Sequence, residues 1–304
     1  MLDGRAKLFF AMGGNFLQAT PDTPRTARAL ENCDMLVHVS TKLNRSHLLH
    51  NKWSIILPCL ARSEIDQQAY GEQFVTVENS MGVVHSSRGS RKPAHPGLYS
   101  EPAIVAWLAE KVLGPATPVS WCWLIEDYDR IRDLIAKTIP DFEDFNARVR
   151  KPGGFHLYNG ARERRFNTDS GKAKFTVNPA PDLSLPDGAY RMMTMRTHDQ
   201  YNTTVYGNDD RYRGVRGGRR VVFMNEQDMR EAGLDAGTLV DLTNDFGGKR
   251  REAPRFTAVP YPIPRRCVGT YFPEANVLVP LEKYAEGSFT PASKDVIVRI
   301  DPSS

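Results

Sequence analysis

Three short polar segments carry residues suited to binding a nucleotide. Gly14 and Asn15 follow an apolar run, and glycine in such a turn lets backbone amides approach a phosphate. Ser40 and Thr41 follow a second apolar run. Glu64 follows a third, where a carboxylate can accept hydrogen bonds from a guanine edge or ribose hydroxyls. The glycine spacing is not GxGxxG, and each segment alone is also typical of a plain turn or an exposed acid.

The first 58 residues are predicted to place these segments at one edge of a parallel sheet. Apolar runs at residues 7–11, 35–39 and 53–58 are predicted to be strands separated by short helices. Asp22 is expected to cap the first helix, with Pro24 in its first turn. Strands that alternate with helices through short connections favour parallel pairing, in which ligands bind beyond the carboxyl ends of the strands. We therefore expect one nucleotide-sized site there.

The rest of the chain divides into a helical part and a part made of short strands. Helical patterns are predicted at residues 101–113, 121–138 and 140–150, and residues 151–188, rich in Pro, Gly and Asn, are predicted to connect two domains. From Tyr190 onward, short β-prone runs with frequent turns are typical of a small barrel or sandwich. These runs lie at residues 190–195, 220–224, 238–243, 255–259, 277–279 and 295–300, with one helix at 225–232.

Composition excludes several classes of protein. With 304 residues, 40% of them hydrophobic, the chain can fill two ordinary cores. A net charge of +4 is too small to indicate a nucleic-acid or membrane partner, and no run of eighteen apolar residues predicts a transmembrane helix. The cysteines at 33, 59, 122 and 267 form no CxxC pair, so zinc-ribbon, iron–sulfur and thioredoxin-like sites are not expected in this chain. No secretory signal is predicted.

Residues 211–220 contain five arginines, three glycines and one tyrosine. One interpretation is RNA binding, in which arginines pair with phosphates and stack on bases. The other is a solvated loop between strands, whose charge Asp209 and Asp210 partly balance. No Ser/His/Asp or Cys/His constellation emerges, so no catalytic residue and no metal ligand is predicted. The residues alone thus indicate an α/β plus β protein with a nucleotide-sized site.

Five segments resemble, in order, the motifs of one enzyme family. They are the Gly-Gly-Asn turn within residues 8–16, Arg-Phe-Asn-Thr with Ser-Gly-Lys-Ala-Lys-Phe within 165–175, Thr-Met-Arg with Gln-Tyr-Asn-Thr within 194–203, an Asn-led helix with Gly-Thr-Leu-Val within 225–240, and Asn-Val-Leu with Pro-Ala-Ser-Lys within 276–294. Their joint order resembles the molybdopterin guanine dinucleotide (bis-MGD) oxidoreductases. The likeness is to the C-terminal portion of a formate-dehydrogenase-like alpha subunit.

The resemblance implies a fold, a cofactor and a set of binding residues. The fold is a partial Rossmann-like α/β domain over residues 1–150, a connecting segment over 151–188 and a double-psi β-barrel over 189–304. The cofactor is molybdopterin guanine dinucleotide with molybdenum or tungsten. Its guanosine end is expected at Gly14, Asn15, Ser40, Thr41 and Glu64. Its pterin and pyrophosphate path is expected at Thr194, Arg196, Gln200, Tyr201, Asn202, Thr203, Asn276 and Lys294, where cations can offset pyrophosphate charge.

The family's iron–sulfur segment and its metal-ligating residue precede the Gly-Gly-Asn strand. We therefore expect a cofactor-binding portion of a longer, cytoplasmic oxidoreductase that is inactive alone. The full-length protein is expected to bind a small-molecule substrate, with formate favoured, and a redox partner. No membrane segment and no nucleic-acid partner are expected. One alternative is a stand-alone nucleotide- or RNA-binding module that uses residues 211–220. Another is an assembly subunit that pairs with a separately encoded N-terminal half.

Overall fold

The computed structural model of the chain describes residues 1–203 and 205–304, within which it forms fourteen strands and seven helices. The strands are β1 (Leu8–Met12), β2 (Met35–Ser40), β3 (Trp53–Pro58), β4 (Asp66–Gln68), β5 (Gly71–Gln73), β6 (Val75–Glu78), β7 (Val83–Ser87), β8 (Phe155–His156), β9 (Tyr190–Met195), β10 (Val221–Met224), β11 (Leu239–Phe246), β12 (Lys249–Pro260), β13 (Cys267–Tyr271) and β14 (Val296–Pro302). The helices are α1 (Phe16–Ala19), α2 (Thr23–Glu31), α3 (Glu101–Leu113), α4 (Trp121–Glu126), α5 (Tyr128–Thr138), α6 (Phe145–Val149) and α7 (Glu226–Glu231).

The chain folds into two compact units that are not continuous in sequence. The first comprises residues 1–38, 43–56 and 181–304, and the second comprises residues 39–42 and 57–180. The expected domains were continuous segments, so the grouping differs from them. The difference arises because the N-terminal segment makes side-chain contacts with the barrel of the first unit, and no local pattern in a sequence predicts such contacts.

The first unit begins with a parallel sheet in the order β1-β2-β3. Backbone hydrogen bonds join the starts of neighbouring strands, from Met35 to Lys7 and from Trp53 to Asp34, each at 3.1 Å, which is the parallel register. Helix α2 contributes Leu30, fully buried, to the core of this part. The alternation of strand and helix predicted for the first 58 residues is confirmed.

The remainder of the first unit is built on a closed six-stranded barrel in the order β10-β12-β11-β14-β9-β13. β10 pairs parallel with β12, β9 pairs parallel with β13, and the other four pairs are antiparallel. Buried apolar side chains fill its core, among them Met192, Val222, Leu242, Phe256 and Val296. Of the two architectures predicted from the short strands, the barrel is therefore the one that forms. Closure removes exposed strand edges.

Local patterns misjudged three elements. The predicted helix 121–138 is interrupted at Asp127, whose side chain accepts a backbone hydrogen bond at the start of α5. The predicted helix 140–150 is reduced to α6, which begins after the left-handed Asp144. The predicted strand 277–279 lies largely in the 3-10 turn Glu274–Leu278. The barrel strand in this region is β13, which was not predicted because its side chains gain their stability from neighbouring strands.

A buried ion pair joins the start of α2 to the barrel. Asp22 was expected to cap this helix with its side chain, but its backbone is left-handed (φ 48°) and no side-chain cap forms. Its carboxylate instead accepts a hydrogen bond from Arg251 Nε at 2.8 Å, and the Arg251 side chain is 3% exposed. Glu282 contacts Arg251 at 3.1 Å, Lys249 at 2.5 Å and Arg25 of α2. These charged contacts attach the N-terminal segment to the barrel.

The second unit contains two small antiparallel sheets and four helices. β4 pairs with β5, and β6, β7 and β8 form a three-stranded sheet. Ala106, Ile125 and Tyr128 form one core of the helical part, and Val84 and Phe145 belong to another. Within residues 1–203 and 205–304, no helix is both long and apolar enough to cross a bilayer.

Glu282→Gln tests the charged attachment of α2. The hydrogen bond from Lys249, followed by that from Arg25, lowers the pKa of Glu282 from 4.5 to about 2. Because the folded pKa is depressed, the ionised carboxylate stabilises the fold fully above about pH 4.5, and this contribution is lost as the pH falls towards 2. Glu282 is about one-third exposed, so we expect the substitution to lower the free energy of unfolding by only about 1 kcal/mol at neutral pH.

Urea unfolding from neutral pH down to about pH 3 measures this effect, and the difference between wild type and variant should shrink on acidification. Glu252→Gln is the matched control, because Glu252 is 62% exposed and pairs with Arg250 on the surface. Equal losses in the two variants at all pH values would contradict the attachment.

Candidate functional site

The turn between β1 and α1 presents a glycine backbone that is open to a ligand. Gly14 has a φ of 68°, and a Cβ added there would meet no atom within 4 Å. Its carbonyl accepts a hydrogen bond from the side chain of Asn44 at 2.8 Å. Asn15 is buried; it donates to Gln18 Oε1 at 2.8 Å, and Ser46 donates to its Oδ1 at 3.3 Å. This fixed turn leaves its glycine backbone accessible to a phosphate or a base.

Asn276 of the barrel belongs to the same network. Its Nδ2 donates to the Gln18 carbonyl at 2.6 Å, and its own carbonyl accepts from the backbone N–H of Asp22 at 2.9 Å. Asn276 is only 2% exposed, and no residue in the described ranges donates to its Oδ1. The structure thus brings Asn15 and Asn276 together through Gln18. The amide donor of Asn276 is used to hold the N-terminal segment.

Thr194, Arg196 and Lys294 form a basic cluster at the end of β9. The backbone N–H of Thr194 donates to the Ser293 carbonyl at 2.9 Å, and the ammonium of Lys294 donates to the Thr194 carbonyl. Burial, and then the positive charge of Arg196, lowers the pKa of Lys294. Among residues 1–203 and 205–304, neither cation forms an ion pair with a carboxylate. An anion bound between them would relieve this repulsion.

Gln200 is held in place by hydrogen bonds at both ends of its amide. Its Oε1 accepts from Arg219 at 3.0 Å and from the backbone N–H of Thr197 at 2.9 Å. Its Nε2 donates to the carbonyls of Asn202 at 2.7 Å and Phe272 at 2.8 Å. Both donor hydrogens of the amide are therefore used within the protein. Gln200 positions this loop.

Arg219 connects the same loop to the barrel. Its side chain is 4% exposed and forms an ion pair with Glu274 at 2.8 Å. It also donates to the Thr197 hydroxyl at 3.0 Å and the Phe272 carbonyl at 2.7 Å. Its guanidinium carbon lies 4.1 Å from the centre of the Tyr206 ring. One buried cation thereby fixes three segments that are distant in sequence.

Tyr201, Asn202 and Thr203 lie in a tight turn of this loop. Backbone hydrogen bonds join Tyr201 and Val205 in both directions, at 2.8 and 3.2 Å. Asn202 has a left-handed backbone (φ 49°), a conformation that asparagine tolerates better than most residues. Thr203 is buried, whereas Tyr201 is 74% exposed. Of the three, Tyr201 therefore presents the largest surface for a ligand.

Ser40, Thr41 and Glu64 belong to the second unit. Ser40 ends β2, and no residue in the described part of the chain hydrogen-bonds to the hydroxyls of Ser40 or Thr41. The carboxylate of Glu64 accepts backbone N–H groups from Ala61 and Ala94, each at 2.6 Å. Each carboxylate oxygen keeps about one further acceptor position. Glu64 thus already holds two loop segments together.

Sequence reasoning missed Thr197, Arg219, Glu274 and Gln18 as supporting residues. Arg219 lay in an arginine-rich segment for which a solvated loop was one interpretation, yet it is buried. The signal that could have identified its partner is that Glu274 is the single charged residue in the mostly apolar segment 267–281. A lone acid in such a segment favours a buried ion pair, because an unpaired buried charge is strongly destabilising.

Comparison with known proteins identifies the barrel region. Residues 190–297 match the family described as Molydopterin dinucleotide binding domain. The matched region contains the basic cluster at Thr194, Arg196 and Lys294, and it contains both Arg219 and Gln200. The barrel therefore carries the expected binding residues within the family's own boundaries.

Two curated relatives are similar over the whole chain. An "Uncharacterized oxidoreductase" of Mycobacterium tuberculosis is 48% identical over 310 residues, which cover 100% of this chain and 40% of the relative. The protein YdeP of Escherichia coli is 47% identical over 308 residues, which cover 99% of this chain and 40% of the relative. The chain thus spans about two-fifths of the length of these relatives.

A solved structure shares the fold. Acetylene hydratase from Pelobacter acetylenicus superposes with a TM-score of 0.64 and 14% identity, over 97% of this chain and 44% of that chain. At this identity the likeness concerns the fold alone. Residues 190–297 therefore match the molybdopterin dinucleotide-binding domain family, and the whole chain is similar to a longer protein that is named an oxidoreductase.

Proposed function

We propose that this chain is the C-terminal cofactor-binding portion of a molybdenum or tungsten bis-MGD oxidoreductase of the formate-dehydrogenase-like type. The observation that carries the proposal is the pair of cations Arg196 and Lys294, which have no acidic partner within the described residues and lie inside the matched domain. A pyrophosphate between them would receive charge-assisted hydrogen bonds. The oxidoreductase name of one relative supports the class of activity, and the motif within residues 165–175 favours formate or a similar small substrate.

The binding residues divide into those that meet the cofactor and those that position them. Arg196, Lys294 and the exposed Tyr201 are proposed to contact the pyrophosphate and pterin directly. Gln200 and Asn276 hold the surrounding loops, because their amide donors are used within the protein. The other proposed contacts along this path are Thr194, Asn202 and Thr203. The guanosine end is assigned to Gly14, Asn15, Ser40, Thr41 and Glu64.

The residues of the first unit fit a pterin dinucleotide. The two cations beside β9 suit the pyrophosphate, and the open backbone at Gly14, in the turn between β1 and α1, suits a close approach by a phosphate or base. When bound, the cofactor supplies a metal that exchanges electrons with the substrate, and the protein contributes binding and orientation. By themselves these residues bind and orient, so the chain alone is proposed to be inactive.

The finer assignments follow from the same proposal. Two parallel pairs within a closed six-stranded barrel support a double-psi β-barrel over residues 189–304. Residues 1–150 would be part of a Rossmann-like domain, with 151–188 as its connection to the barrel. The metal ligand, any iron–sulfur cluster and the contact with a redox partner are assigned to other parts of a longer, cytoplasmic protein, encoded either with this chain or separately.

Calorimetric titration with GDP tests whether the chain binds the nucleotide end of the cofactor. We expect GDP to bind more tightly than ADP, because Glu64 can accept hydrogen bonds from the N–H groups of guanine. Replacing Arg196 and Lys294 together with glutamine should weaken GDP binding by about ten- to a hundredfold, the effect of losing charge-assisted hydrogen bonds. Glu64→Ala should abolish the preference for guanine.

Arg230→Gln is the control for this titration. It removes one positive charge from α7, where Arg230 is 70% exposed and distant in sequence from the cluster. An equal loss of affinity in this variant would mean that only net charge matters. Absence of GDP binding by the wild-type chain would contradict the proposal that the chain binds the nucleotide unaided.

Arg219→Ala tests the support of the binding loop. The substitution leaves Glu274 without its ion-pair partner and removes one hydrogen bond to Gln200, so we expect the free energy of unfolding to fall by about 3 kcal/mol. Hydrogen exchange of the backbone amides of residues 197–203 should become faster, because the link to Phe272 is lost. Arg216→Ala, in the same arginine-rich segment but exposed, should change the stability by less than about 0.5 kcal/mol. Similar losses in both variants would contradict the role of Arg219.

A further inference from the structure

Residues 214–221 and three residues of strand β12 line a basic depression that is open to solvent in the first unit, called the cavity below. Its volume is about 500 Å³, within the range at which proteins bind small ligands. Three exposed arginines line it, namely Arg216, Arg220 and Arg255. No aspartate or glutamate of the described ranges is among its lining residues. The cavity therefore concentrates positive charge in a concave site.

The arginines around this cavity differ in their partners. Arg219 forms an ion pair with the partly buried Glu274 and is neutralised. Arg220 donates to the carbonyl of Pro254 at 2.9 Å, a neutral acceptor that leaves its charge uncompensated. The side chains of Arg216 and Arg255 make no hydrogen bond and no ion pair within residues 1–203 and 205–304. The three arginines that line the cavity thus form no ion pair within the described residues, and the Asp241 carboxylate interacts with Arg255 only electrostatically.

A β-bulge places Arg255 at the cavity. The register between β11 and β12 shifts here, so that Pro254 and Arg255 together oppose the single residue Asp241. The Asp241 carboxylate, which does not line the cavity, accepts hydrogen bonds from the backbone N–H of Arg255 at 2.8 Å and from the Ser303 hydroxyl. Arg255 has a φ of 59°, a left-handed backbone that is unfavourable for arginine. The bulge therefore holds Arg255 in a fixed position beside the cavity.

The geometry points to a diphosphate-binding site between Arg216, Arg220 and Arg255, occupied by inorganic diphosphate or by the diphosphate of a nucleotide. Guanidinium groups match phosphate oxygens in charge and geometry, and two adjacent phosphates can engage three of them. The backbone at Gly217 and Gly218 leaves room for close approach, since a Cβ at either would meet no atom within 4 Å. RNA is a poorer match, because no aromatic side chain lines the cavity and recognition of single strands depends on stacking.

The site is distinct from the cluster proposed to hold the cofactor. β13 pairs parallel with β9 and antiparallel with β10, so the end of β9 and the beginning of β10 lie at the same end of the barrel. Arg196 and Lys294 nevertheless do not line the cavity. The diphosphate site goes beyond the proposed function, and its test uses different residues.

Titration of the purified chain with inorganic diphosphate at low ionic strength tests the site. We expect saturable binding that Arg255→Asn weakens by about tenfold or more, the effect of removing one charge-assisted contact. Because asparagine tolerates a left-handed backbone better than arginine, the melting temperature of this variant should equal or exceed that of wild type. Arg216→Gln, on the exposed part of the loop, should weaken binding similarly without affecting the fold.

Further titrations locate the bound ligand and identify its source. Arg230→Gln, on α7, should bind diphosphate as wild type does, since it removes a charge outside the cavity. GDP and ADP that bind more tightly than inorganic diphosphate would identify a nucleotide as the source, and equal affinities would identify free diphosphate. The site is ruled out if wild type does not bind diphosphate. It is also ruled out if binding survives in both Arg216→Gln and Arg255→Asn but is lost when Arg196 and Lys294 are replaced.

Discussion

The ion pair between the buried Arg219 and the partly buried Glu274 is the interaction on which the binding side of the barrel depends. A guanidinium removed from water is tolerated only when its donors meet acceptors, and here those acceptors come from three separate segments. Arg219 contacts Thr197 and Gln200 in the binding loop, and it contacts Phe272 and Glu274 after β13. The loop that carries the Gln-Tyr-Asn-Thr sequence is therefore fixed relative to β13, and the basic cluster lies at the end of the neighbouring strand β9.

Elements with a strong local pattern were predicted well, and elements specified by tertiary contacts were not. The three N-terminal strands and β9 lie within about a residue of their predicted bounds, because continuous apolar runs specify buried strands. β13 was missed because its fit depends on its neighbours: a Cβ at Gly269 would lie 2.2 Å from the side chain of Met195. The same reason explains Asp22. Its side chain was expected to cap α2, but it instead accepts a hydrogen bond from Arg251, an arginine more than two hundred residues away.

The sequence supplied the candidate binding residues, whose part in binding stays a prediction, but it did not indicate which of them hold the fold together. Motif spacing selected Gln200, Asn276 and Glu64 because amides and carboxylates suit a guanine or pterin. In the structure each of these side chains already bonds to backbone groups. A sequence gives the type of a polar side chain, whereas only the fold determines which of its hydrogen-bonding positions are already used. The side chain of Arg196 makes no hydrogen bond within the described residues, and Lys294 uses one of its three donor hydrogens on the Thr194 carbonyl.

Burial explains how the arginine-rich segment is divided between structure and binding. Arg219 is buried and must be paired, since an unpaired charge in the interior would destabilise the fold by several kcal/mol. Arg213 is partly buried and pairs with Asp210. Arg216 is exposed, so water can solvate it and the fold does not require a partner. The charges without partners consequently collect where solvent reaches, at one end of the barrel. A modest net charge of +4 thus coexists with a local field that attracts anionic ligands.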